Sequence, residues 1–267
     1  MPTHHFCKIT CPHDEQHAYS CAINENPLNA LCQPTNSRSK RAVGFYSKFW
    51  SPGRTITITF TQALPEAIKA RVEQVIRMWE PYVNLKFEFE DSDHGDIRIA
   101  LNAKFNESVM GTDALSVPSY EPTLSIATPH TSEDFNPTLL HAFGHALGLR
   151  NEHQHPSANI PWDKEKAFRY FQETQGWTLE EITYNLFDID NSPDIYRGSY
   201  DPHSIMHYEI LNDLTIGDWT VGYNTELSEQ DKISNSNIYP PAKTINPPKH
   251  HSLQKKKKKP SSFDPAL

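Results

Sequence analysis

Past residue 32 the chain has no cysteine; Cys7, Cys11, Cys21 and Cys32 are the only four in 267 residues. Whatever folds beyond that point does so without disulfides, which suits a reducing compartment. No apolar run approaches the ~20 residues that a membrane-crossing helix needs, so no membrane contact is expected. Met1 to Ala18 mix histidine, cysteine, lysine and acids around no hydrophobic segment, and do not read as a secretory leader. That leaves a cytoplasmic protein or a chain whose leader has been removed. Positive charge is scarce in the body as well. The formal net charge is −8, with 25 basic against 33 acidic residues, and six of the basic ones lie in the tail, at Lys249 and Lys255–Lys259. An acidic body argues against a nucleic-acid partner. No internal repeat is visible, and the length suits one large domain with tails, expected to be a monomer.

What is present divides into three parts. Residues 1–40 are a Cys/His-rich extension without sustained periodicity. His13 and His17 interleave with the cysteines, but a single residue separates the Cys7/Cys11 pair from the histidine pair, a poor fit to a zinc knuckle. Metal binding, disulfides and unpaired thiols all stay open there. Lys40-Arg41 reads as a basic linker, with dibasic processing as the alternative. Residues 41–240 carry the ordered domain. Residues 241–267 turn to Pro, Lys, His and Ser and are expected to be disordered. The Lys255–Lys259 run reads as a solvated tail, a nuclear-localisation-like patch being the alternative.

Within the domain, Thr55 to Phe60 alternates strictly, placing Ile56, Ile58 and Phe60 on one face of a strand. Pro65 opens a helix whose apolar positions are Ile68, Val72, Val75, Ile76 and Trp79, and Pro81 ends it. Leu85–Phe89 and Ile97–Leu101 alternate again. Residues 102–122 read as a connecting loop, and Thr123–Thr128 as a short strand. Asp134 or Asn136 caps the next helix, with Pro137 at its start. Later helices are expected over Pro161–Phe171, over Thr178–Leu186 behind a Thr178/Glu181 capping box, and over Ser228–Ile238. Strand, helix, strand and strand make the fold class α+β, opening with a sheet covered by one long helix.

The chemistry concentrates between Leu139 and His155. His141 and His145 are four residues apart in an apolar run, so on a helix both imidazoles leave one face, at the spacing of two metal ligands. Gly148 follows where the helix could stop in a left-handed turn. About sixty residues downstream lies Ser204-Ile205-Met206-His207-Tyr208, preceded by Tyr200-Asp201-Pro202.

With the run Phe143 to Leu149 and the run Asn151 to Pro156, these features resemble the metzincin zinc endopeptidases, specifically the astacin-like group and its compact bacterial and fungal relatives. The resemblance spans roughly residues 41–240. It implies an upper part of twisted sheet with two long helices, a mostly irregular and helical lower part, and between them a cleft with a zinc site that takes a peptide or protein substrate. His141 and His145 match the first two zinc ligands, and Gly148 the glycine that turns the chain toward the third. Met206 matches the methionine beneath the metal in the Met-turn. Tyr208 matches the tyrosine that binds zinc or swings toward the substrate oxyanion.

Two positions depart from that pattern. Ala142 stands where the family has its general-base Glu, and Asn151 where it has its third His. Peptide hydrolysis on zinc needs a carboxylate to take the proton of the bound water and pass it to the leaving amine, and Ala142 has no titratable group. A neutral amide oxygen is a poorer zinc donor than imidazole, so zinc is held loosely or not at all, unless His153 or His155 substitutes. Glu152 reads as structural rather than as a replacement base. Ala142 is either an engineered change or natural loss, and the second departure at Asn151 favours the latter. Three functional readings follow: an inactive or impaired peptidase that retains a peptide-binding cleft, an active zinc endopeptidase with a rearranged site, and an interaction protein acting through its termini.

Overall fold

The computed structural model of the chain describes residues 6–32, 47–189 and 198–241. The Lys40-Arg41 pair, the Lys255–Lys259 run and all but the first residue of the tail lie outside the described residues. Six strands form one sheet in the order β1-β5-β6-β4-β2-β3. They are β1 Cys7–Ile9, β2 Thr55–Phe60, β3 Lys86–Phe89, β4 Ile97–Leu101, β5 Asn106–Ser108 and β6 Leu124–Ile126. Every pairing is parallel except β5 with β6. Helix α1 is Glu15–Glu25, α2 is Glu66–Ile76, α3 is Phe135–Ala146, α4 is Lys164–Gln175, α5 is Leu179–Ile182 and α6 is Glu229–Ile238.

Two apolar cores result. The upper one joins the inward faces of β2, β3, β4 and β6 (Ile56, Ile58, Phe87, Ile97, Ile99, Leu124) to α2 and α3. Its alternation marks a sheet with one face packed on helices, since parallel strands covered on both faces read as continuous apolar runs. The lower core gathers Phe171 of α4 and Trp177, Ile182, Leu186, Tyr208 and Ile210 from short elements. The cleft-forming residues lie where the two meet. Tyr208 belongs to the lower core and Met206 to the upper, two residues apart.

Several expectations are corrected. Residues 102–122 are not merely a loop, because they include β5 and a 3₁₀ turn over Gly111–Ser116. Residues 6–32 of the N-terminal extension pack onto the domain: β1 extends the sheet, and α1 packs against that 3₁₀ turn. The helix after the motif starts at Lys164 rather than Pro161, since Asp163 accepts the Lys166 N–H as its cap. Thr178 forms the capping box read in the sequence, although after Ile182 the chain widens into a π-helical turn over Thr183–Phe187, and Ser228 caps the last helix in a box with Asp231. Cys7, Cys11 and Cys21 are free thiols. Among the described residues no helix is long and apolar enough to cross a membrane.

The Ser204–Tyr208 segment is held by one buried carboxylate. Asp231 Oδ1 accepts from Ser204 Oγ at 2.6 Å, and its Oδ2 accepts from the N–H groups of Ile205 (2.8 Å) and Ser228 (2.9 Å). Beneath it, a Cβ on Gly144 would overlap Met206 Sδ, so α3 meets this turn only because residue 144 has no side chain. Asp231→Ala would leave three buried donors unpaired and is expected to lower stability by ~2–4 kcal/mol. Urea denaturation checks this, and a loss under about 1 kcal/mol would contradict the anchoring role.

Candidate metal centre

Helix α3 is buried along almost its whole length, and its C-terminus is closed by Gly148 at φ +93°. The Leu149 N–H reaches back to Gly144 O (3.0 Å) and the Gly148 N–H to His145 O (2.8 Å), a Schellman turn that glycine permits. This turn aims the Leu149 carbonyl at His145, whose Nδ1 lies 2.8 Å away. His141 Nδ1 lies 2.8 Å from Ile205 O, on the segment anchored by Asp231. A carbonyl can only accept, so each Nδ1 carries the ring proton and each Nε2 is a bare lone pair.

Those two Nε2 atoms face each other at 3.0 Å. Burial holds both rings neutral: the His141 pKa falls from 6.5 to about 4, and that of His145 falls further below the ordinary range through burial and its neighbour His141. Two opposed lone pairs with no hydrogen between them repel. A cation placed to accept both relieves this, and fixed Nδ1–H···O=C contacts are how metal-binding imidazoles are oriented.

Asn151 is brought to the pair, as the resemblance implies. Its side chain is buried against both His141 and Tyr208, and its Oδ1 has no hydrogen-bond donor. Two imidazole nitrogens and an amide oxygen therefore fit a zinc ion, with the third donor a weak one. Among the described residues no third His, Cys, Asp or Glu completes a metal-binding group. Ala142 is fully buried in the upper core.

The alternative ligands separate. His153 stacks on Tyr208 with ring centroids 4.3 Å apart; its Nε2–H donates to Asn185 O (2.8 Å), and its Nδ1 is buried without a partner. His155 does not join the pair. Its ring lies against Tyr200 and near Gly198 O, facing a cavity of about 130 Å³ lined also by Glu152 and Asp201. Glu152 faces the same cavity and accepts from the Asp201 N–H at 2.8 Å. Burial raises its pKa to about 7. That carboxylate is committed elsewhere, in keeping with its structural reading.

The feature that the sequence did not reveal is that residues 6–10 cover the site. β1 runs parallel to β5 with Cys7, Lys8 and Ile9 opposite Asn106, Glu107 and Ser108. The Tyr208 hydroxyl, expected to face a metal or substrate, donates to the Cys7 carbonyl. Asn185 of the π-turn takes both backbone groups of Ile9, its Oδ1 accepting the N–H (2.7 Å) and its Nδ2 donating to the carbonyl (3.3 Å). The Phe6 ring joins the lower core beside Phe171 and Tyr208. A cavity of about 30 Å³ remains between this segment, His141 and Tyr208. Burial and the nearby Glu107 push the Cys7 thiol above its usual range. The available signal was the short run Phe6-Cys7-Lys8-Ile9 ahead of Pro12.

Residues 43–237 match the model of the Astacin peptidase family. A solved structure of myroilysin is 36% identical, covers 73% of this chain and 96% of its own, and superposes with a TM-score of 0.68. A crystal structure of myroilysin gives 36% identity, coverage of 73% and 87%, and a TM-score of 0.57. High choriolytic enzyme 1, a hatching enzyme zinc-protease from Oryzias latipes (Medaka fish), is 15% identical over 72% of this chain and 94% of its own, with a TM-score of 0.48. No curated protein matches the chain. The expectation of a cytoplasmic location gains no support from these matches.

Four buried histidines give the metal-free chain a defined acid sensitivity. His141 and His207 titrate at about 4, and His145 and His153 are also held below 6.5, burial being the largest cause in each. Below pH 6.5 the unfolded chain takes protons that the folded chain refuses, so stability present above 6.5 is lost as pH falls toward 4. His141 alone contributes a loss of about 2 kcal/mol by about pH 5. The melting temperature of chelator-treated protein should fall between about pH 7 and about pH 5, and a flat profile there would contradict the neutral tautomers.

Proposed function

The chain belongs to the astacin family of peptidases, and from that premise we propose that it is an impaired metallopeptidase that keeps the peptide-binding cleft of the fold. His141 and His145 would hold zinc, with Asn151 Oδ1 as the weak third donor. A bound zinc would supply Lewis acidity toward a peptide carbonyl and toward water. The observation that carries the reading is the side-chain inventory around the pair. Among the described residues no carboxylate joins the two bare Nε2 atoms, and Ala142, at the position of the family's Glu, has nothing to accept a proton.

Binding groups are better provided. The β5 edge offers backbone N–H and C=O groups to an extended chain, as its pairing with β1 illustrates. Asn185 reads one residue's amide and carbonyl together, and the Tyr208 hydroxyl donates to a carbonyl two residues earlier. These contacts are indifferent to whether a bond is cut. An extended peptide is thus held and oriented, while proton transfer to a leaving amine lacks its carrier.

A second reading has one observation in its favour. His153 Nδ1 is buried, bare and unpartnered beside Tyr208, so a modest shift of the 151–154 turn would offer a third imidazole in place of the Asn151 amide. That exchange would strengthen metal binding without supplying a base.

Restoration tests the main reading. The zinc-supplemented chain should show no chelator-sensitive cleavage of an unstructured protein substrate. Ala142→Glu, alone and then with Asn151→His, should raise chelator-sensitive cleavage by ~10²–10⁴-fold, the range a general base supplies. The assay is run on the full chain and again with Lys8→Glu, which weakens the covering segment. Chelator-sensitive cleavage by the unaltered chain at the restored level would sink the reading.

A further inference from the structure

The segment that covers the cleft is also a bound peptide whose contacts can be read as a recognition pattern. Its central residue, Lys8, is only 5% exposed. The ammonium forms ion pairs with Glu181 and, at 3.5 Å, with Glu107, and sits 4.3 Å above the centre of the Phe105 ring. The two carboxylates come from opposite sides of the cleft: Glu107 from β5 of the upper sheet, Glu181 from α5 below. A lysine buried this fully needs such compensation, because desolvating an unpaired charge is expensive.

The acceptors are fixed independently of the lysine. Glu181 Oε2 takes the Thr178 N–H at 2.8 Å in the capping box, so only Oε1 is turned toward Lys8. Asn185 is tied to the same element, its Nδ2 donating to Glu181 O at 3.0 Å. The group that reads the charge and the group that reads the next residue's backbone are thus one rigid piece, four residues apart. Phe6, two residues before Lys8, fills an aromatic pocket formed with Phe171 and Tyr208. Beyond Ile9 the cleft opens into a groove of about 610 Å³ lined by Glu180, Glu181 and Asp188. Its acidic walls have room for further residues.

We propose that this cleft selects basic peptides: it recognises a lysine or arginine preceded by an aromatic residue two positions earlier, with Glu107 and Glu181 setting the charge preference and Asn185 fixing the register. This deepens, and rests on, the reading of the cleft as peptide-binding. The chain's own residues 6–10 then act as the resident ligand, with which an incoming peptide competes at the high effective concentration of a tethered segment.

The test uses the full chain carrying Lys8→Glu, which sets a third carboxylate against Glu107 and Glu181 and releases the segment. Release is read by alkylation of Cys7, which is buried in the unaltered protein. Fluorescence anisotropy then follows a labelled pentapeptide matching residues 6–10 and its versions with alanine or glutamate at the lysine position. Charge-assisted pairing to two carboxylates predicts roughly tenfold or more tighter binding of the lysine peptide than of the alanine one. Adding Glu107→Gln and Glu181→Gln should reduce that preference below about threefold. Should Lys8→Glu fail to fold, the unaltered chain gives the same answer, because the lysine peptide, and not the alanine one, should accelerate Cys7 alkylation by trapping the open cleft. Equal binding of the lysine and alanine peptides overturns the charge preference alone. Alkylatable Cys7 with no binding of any peptide overturns the peptide-binding reading as well.

Discussion

Two unprotonated imidazole nitrogens held 3.0 Å apart in a buried site are the constraint on which the middle of this molecule depends. Left to themselves, the His141 and His145 rings would turn to avoid each other. They are held because each Nδ1–H has a carbonyl partner that something else has fixed. Leu149 O is set by the Schellman turn at Gly148, and Ile205 O by the Asp231 carboxylate. Those two anchors lie at opposite ends of the domain's second half. Both present backbone carbonyls to the rings, so the alignment does not run through the side chains at 142 and 151.

That independence is what the proposed reading, an impaired peptidase site that keeps its shape, rests on. The metal-facing nitrogens come from α3, the carbonyl partners from two turns, and the peptide-reading groups from β5, the π-turn and Tyr208. On the proposed reading Ala142 and Asn151 bear on proton transfer and metal affinity, and neither supplies the contacts that hold the two rings. A fold of this kind separates binding from catalysis spatially. Loss of one need not carry the other away, and the ordered fit of residues 6–10 along the β5 edge illustrates a cleft still shaped for an extended chain.

Legibility in the sequence followed the range of the interactions. The Ile56/Ile58/Phe60 alternation, the apolar face of α2 and the Thr178/Glu181 capping box are local patterns that formed in place, although α2 ends at Ile76 and Arg77–Tyr82 tighten into a 3₁₀ turn that takes in Pro81. The resemblance also put Asn151 beside the histidine pair. Strand β5, reading Asn-Glu-Ser, has no apolar period; only its backbone pairing with β1 and β6 defines it. The covering segment was harder still, because its meaning lies in contacts with Glu181, Asn185 and Tyr208, more than 170 residues away. His153 and His155 could not be told apart from sequence. A single 3₁₀ turn over Glu152–Gln154 sends one ring to Tyr208 and the other to Tyr200.

The central claim is that the metal-binding half of the site persists with two imidazoles and an oxygen donor. X-ray absorption at the zinc edge, on zinc-loaded protein, tests it most directly because it counts imidazole ligands. The account predicts about one zinc per chain with two imidazoles and light oxygen donors at the ~2.0–2.2 Å typical of zinc. Three imidazoles would put His153 in the third position, and a chain that takes up no zinc would contradict the account outright.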